Sequence, residues 1–90
     1  MKAVKLTISG KVQGVGYRRW FAQYAVALKG YVQNLDSGAV EALLFGDDGM
    51  VAELVNFAKV GPTHAVVTDV VIVELASEQQ RFTDFQIRRE

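Results

Sequence analysis

The chain has 90 residues, half of them hydrophobic, with ten basic side chains balancing ten acidic ones and no cysteine. That length suits one domain spanning residues 1–90, with a small core that stabilises it only modestly. Zero net charge gives no electrostatic footprint for nucleic acid, the missing cysteine excludes disulfides and thiolate metal sites, and no apolar run approaches the roughly 18 residues of a membrane span.

Val4, Leu6 and Ile8 alternate with Lys5, Thr7 and Ser9, a period of two that predicts a half-buried strand. Lys5 and Thr7 also break the only early apolar stretch, so no signal peptide is expected; with the absent cysteine, this fits a cytoplasmic protein. A loop holding three glycines runs from Gly10 to Tyr17. Phe21, Ala25 and Leu28 then recur at helical spacing, with Tyr17, Trp20 and Tyr24 expected in the core and Gly30 ending the helix. Tyr31–Leu35 and Ala39–Phe45 flank Asp36-Ser37-Gly38 and read as a hairpin. Asp47 or Asp48 can cap a second helix whose buried stripe is Val51, Leu54, Val55 and Ala58, and Gly61-Pro62 stops it. Val66–Leu75 is valine-rich and predicts a well-covered strand, and Phe85 and Ile87, alternating with Gln86 and Arg88, predict a short last one. The order strand, helix, hairpin, helix, strand, strand predicts an α+β ferredoxin-like sandwich. Its two helices should pack on one face of an antiparallel sheet of four to five strands.

The segment Gly10-Lys11-Val12-Gln13-Gly14-Val15-Gly16-Tyr17-Arg18 joins the first strand to the first helix. Its glycines can take positive φ, so that successive N–H groups point into one concavity suited to an anion. The helix N-terminus adds unpaired donors and partial positive charge. Arg18 stands at the mouth, and a guanidinium can grip a phosphate through two parallel hydrogen bonds, which an ammonium cannot. A Gly-rich connection can equally be no more than a tight turn. No Gly-Lys-Ser/Thr follows it, so it is not a nucleotide P-loop, and Gly14-x-Gly16 lacks the third glycine of a dinucleotide fingerprint.

Further words follow in order: Gly30-Tyr31-Val32-Gln33-Asn34, then Asp36-x-Gly38-x-Val40-Glu41, Gly61-Pro62 and the C-terminal Phe85-x-Ile87-Arg88. Taken with the loop, this set closely resembles the acylphosphatase family over essentially the whole chain. The resemblance implies the same ferredoxin-like fold and hydrolysis of small acyl phosphates, with no cofactor or metal. Val12, Gln13, Gly14, Val15, Gly16 and Tyr17 would form the phosphate-binding loop. Arg18 would bind the phosphoryl group, and Asn34 would orient the hydrolytic water. Inorganic phosphate would be product and competitive inhibitor, and a standalone monomer is expected. Between Arg18 and Asn34 the chain is about two residues shorter than is typical of the family, near Ala27–Gly30, so the helix should end early or its turn tighten, a change a surface connection absorbs.

The chemistry suits so small a residue set. An acyl phosphate already carries a carboxylate leaving group, so a strong general acid is dispensable, and what remains is positioning and electrostatic stabilisation. A neutral amide accepts from water and donates to substrate but is a poor base. Other features have blander readings: Arg19 is a surface control for Arg18, Gln13 shapes the loop, His64 is exposed, and Asp47-Asp48 caps a helix. The chief rival is a noncatalytic ferredoxin-like module that binds a small ligand or phosphate, since fold alone does not decide function. An RNA-binding sandwich lacks its aromatic signature here, and a subdomain of a larger carbamoyl-phosphate-handling enzyme would share the same words.

Overall fold

The computed structural model describes residues 1–76 and 82–88. Seven elements follow the expected order: β1 (Lys2–Lys11), α1 (Tyr17–Tyr24), β2 (Lys29–Asn34), β3 (Val40–Gly46), α2 (Asp48–Ala58), β4 (Val66–Leu75) and β5 (Phe85–Arg88). They form one five-stranded sheet in the order β4-β1-β3-β2-β5. The alternation read in β1 holds: Val4, Leu6 and Ile8 are buried, and their β3 partners Leu44, Ala42 and Val40 are buried with them. Phe21 and Ala25 from α1, and Val51, Leu54 and Ala58 from α2, complete a single core with these strands. Helix α1 lies against β2 and β5, and α2 against β1 and β3. Asp47 caps α2 by accepting from the Met50 N–H at 3.1 Å.

Four expectations need correcting. The sheet is mixed, because β5 pairs with β2 in parallel, Val32 opposite Ile87, while the other pairings are antiparallel. Alternation predicts a strand's faces but not its direction, and β5 lies at the opposite sheet edge from β4, the strand before it, so no hairpin fixes it antiparallel. Strand β4 is largely exposed, with Val66, Val71, Ile72 and Val73 all open to solvent. It is an edge strand reaching past the cover of α2, so its valines reflect β propensity more than burial. Helix α1 ends at Tyr24, and Gly30 lies inside β2. The short link shows here: a turn closed by Leu28 N–H to Ala25 O at 2.9 Å passes directly into β2. Tyr24 is accordingly exposed, packing with Trp20 and Phe57 along the outer seam between the helices, whereas Tyr17 is fully buried.

Candidate active site

Strand β1 runs out at Lys11, and the buried Val12 side chain turns the chain into the loop. Gly14 and Gly16 adopt φ of 75° and 80°, and a Cβ built on either meets nothing within 4 Å. Open space therefore lies over both glycines, and positive φ is the reason for glycine here. Gly16 is the N-cap of α1 and offers no side-chain cap, and the first turn holds no acidic residue. The first N–H groups of the helix thus have neither an intrahelical partner nor a neutralising carboxylate beside them in that turn.

Gln13 ties this loop to the β2–β3 turn. Its side-chain amide donates both hydrogens, to Leu35 O at 2.8 Å and to Ala39 O at 2.8 Å. Asn34 immediately precedes Leu35. It lies opposite Val40 on the helix-covered side of β2, two residues beyond the buried Val32, and is itself half-buried. The short link has therefore left Asn34 facing the loop. Its amide has no hydrogen-bonding partner among the described residues.

Arg18 sits in the first turn of α1, and its Nη1 donates to the carbonyl of Arg88 at 2.9 Å. No carboxylate among the described residues forms an ion pair with it. Arg18, Asn34, Val12, Gly14, Gly16 and Tyr17 line one open recess, with Arg19 and Ile87 completing the wall. Its volume of about 190 Å³ is several times the ~30 Å³ that one water occupies in the liquid, so an anion the size of phosphate fits beside a water.

The side chains of three residues of the expected loop point elsewhere. The Gln13 side chain reaches the turn, and Val15 packs against the core. The Tyr17 hydroxyl donates to Ala58 O at 2.7 Å, and burial raises its phenol well above the ordinary value. Arg19 is exposed, as read from sequence, yet it borders the recess; a second arginine beside the motif one was the available signal. His64 is exposed, and among the described residues no three His, Cys, Asp or Glu side chains come together.

The acylphosphatase family model matches residues 4–87, nearly the entire chain. The chain belongs to the acylphosphatase family. It is 40% identical to an acylphosphatase from Methanocella arvoryzae, covering 98% of this chain and 100% of that one. It is 43% identical to one from Methanothrix thermoacetophila over 93% of each. The crystal structure of the Bacillus subtilis acylphosphatase superposes with a TM-score of 0.92 at 32% identity, covering 99% of this chain and 100% of the other. The ferredoxin-like α+β fold and the hydrolase class follow from this membership. No helix among the described residues is long and apolar enough to cross a membrane.

Proposed function

We propose that the recess hydrolyses the carboxyl–phosphate bond of a small acyl phosphate by direct attack of water, without a metal ion. The observation that carries this reading is the convergence of Arg18, the open arc over Gly14 and Gly16, and the unpartnered amide of Asn34 on one recess. The phosphoryl oxygens occupy the arc, where the N–H groups at the start of α1 and the Arg18 guanidinium meet the charge that spreads over them in the transition state. Arg18 commits one N–H to Arg88 O and keeps four others for the ligand. Asn34 accepts a hydrogen bond from the water and aligns it behind phosphorus. The water oxygen bonds to phosphorus, the phosphorus–carboxyl oxygen bond breaks, the carboxylate leaves, and a proton of the water ends on the phosphate product. The positive charge a metal would otherwise provide comes from Arg18 and the helix terminus.

Inorganic phosphate, fitting the same arc, competes with substrate. The chain acts as a single domain and a cytoplasmic monomer. Hydrolysis of benzoyl phosphate with and without chelator tests the reading, together with Asn34→Ala. Full rates in chelator, and a loss carried by kcat with KM nearly unchanged, are expected. Phosphate binding without turnover would leave a noncatalytic phosphate-binding module, and activity restored only by Mg²⁺ would overturn the metal-free mechanism.

A further inference from the structure

We infer that Arg88, held by Tyr31 on the opposite face of the sheet, is a positioning residue that aims Arg18 into the recess. This rests on the proposed role of Arg18 and adds to it. Strand β5 has four residues and lies at the sheet edge, with β2 its one strand neighbour among the described residues. Its last described carbonyl, that of Arg88, accepts from Arg18 Nη1 at an exposed position 70 residues away in sequence. Water competes for such a bond unless the acceptor is held still. The core does not hold it, because Phe85 and Ile87 carry the packing of β5 while Gln86 and Arg88 face outward, and among the described residues the β2 ladder reaches it only at its last pair, Gln33 with Arg88.

The Arg88 side chain reinforces that terminal pair. Its guanidinium carbon lies 4.0 Å from the centroid of the Tyr31 ring and 5.5 Å from that of Phe82. Tyr31 is fixed in turn: its hydroxyl donates to Glu41 Oε1 at 2.9 Å, and the Gln33 amide donates to the same oxygen at 2.8 Å. A phenol donating to a carboxylate has a more electron-rich ring, which strengthens its attraction for a cation. Burial and the Glu41 bond push the Tyr31 phenol up to about 12, so it remains a donor at neutral pH. The strand end is therefore gripped by its side chain on one face while its carbonyl orients the phosphate-binding arginine at the other. Arg88 acts through Arg18 and touches no reacting atom.

The test uses Arg88→Met, which keeps an apolar stem and removes the cation, and Tyr31→Leu, which removes the ring. Each is read by kcat/KM for benzoyl phosphate and by the Kd of inorganic phosphate. Each should weaken both about five- to ten-fold, the range an organised cation–π contact supports. The double variant should be no worse than either single one, and Tyr31→Phe, which keeps the ring, should recover most of the loss. In an Arg18→Ala background, Arg88→Met should change neither residual rate nor phosphate affinity. The inference is overturned if Arg88→Met costs the same factor in that background, or if it leaves phosphate affinity unchanged in the parent. Should Tyr31→Leu unfold, the exposed Arg88→Met still decides. Wild-type protein that binds phosphate without turnover would defeat the hydrolytic reading, while the phosphate Kd values would still judge the role of Arg88.

Discussion

Replacing Gln13 with glutamate separates the two halves of the site without changing shape. The native amide donates two 2.8 Å hydrogen bonds to Leu35 O and Ala39 O, the carbonyls on either side of the turn that follows Asn34. A carboxylate of the same size has no hydrogen to donate and faces two oxygens that repel it. Two lost bonds at about 0.5–1.5 kcal/mol each give ~1–3 kcal/mol. At about 4–8 °C per kcal/mol for a domain of this size, Tm falls by roughly 4–24 °C. The core does not depend on the contact, so the fold survives. The turn carrying Asn34 is released from the loop, and a displacement of about 1 Å at a reacting group costs about 10² in rate. The phosphate arc keeps its glycines and Arg18, so the phosphate inhibition constant should stay within about three-fold while kcat drops, a split that uniform loss of binding would not give. Protonating the introduced carboxylate restores one donor, so the kcat defect should shrink as pH falls through the ordinary glutamate range near 4.3 and somewhat above it, where the facing carbonyls shift the group. Benzoyl phosphate kinetics with phosphate as competitor, measured across that range beside thermal melts, decides the matter. A variant with lowered Tm, unchanged kcat and no acid recovery would refute the coupling of loop and turn.

Gly16→Ala should fold, because the added Cβ meets nothing and the cost is the left-handed backbone at about 1–2 kcal/mol, but the methyl stands in the phosphate arc, so phosphate should cease to compete. Gly30→Ala should give no folded protein by circular dichroism, since its Cβ would collide with the Leu43 carbonyl at φ 135°. Arg18→Lys should cost roughly 10²–10³ in kcat/KM, as loss of a transition-state donor does, while Arg19→Ala at the rim should raise the phosphate inhibition constant only a few-fold. The phenol of Tyr31 is raised in the fold, so the stability it contributes is present below pH 10 and is lost as pH climbs toward about 12; urea melts across that window should show a decline that Tyr31→Phe flattens.

The parts of this fold that could be read directly are those governed by local period. Val4, Leu6 and Ile8 had to share a face because a strand alternates, and Val51, Leu54 and Ala58 had to share one because a helix turns every 3.6 residues. Asp47 announced a helix start through its own short side chain. Coverage and direction are not local quantities. Nothing within Val66–Leu75 says that the chain will lay it at a sheet edge, and valine satisfies an edge strand and a buried one alike. The parallel pairing of β5 depends on where β4 ends, a fact of topology that four residues cannot encode. Tyr24 pointed outward because the helix stopped before its next turn could cover it.

The site divides along the same line. Glycine at positive φ and an arginine in the first helical turn are demands on residue type, so the loop was visible as a word, and Asn34 as another. What holds the words together was hidden. Gln13 reaches across 22 and 26 residues to backbone carbonyls, and a carbonyl leaves no mark in a sequence because every residue has one. The acceptor that orients Arg18 is hidden more deeply, since it belongs to Arg88 while the Arg88 side chain lies on the other face. By alternation that arginine reads as solvated surface, and its neighbour Ile87, which does reach the recess, reads as core. The sequence thus names the groups proposed to meet the phosphate, whereas their aim, on the same proposal, is set by strand ends brought together only in the folded sheet. A substitution at the outward face of β2 or β5 can therefore weaken phosphate binding while leaving every motif residue in place.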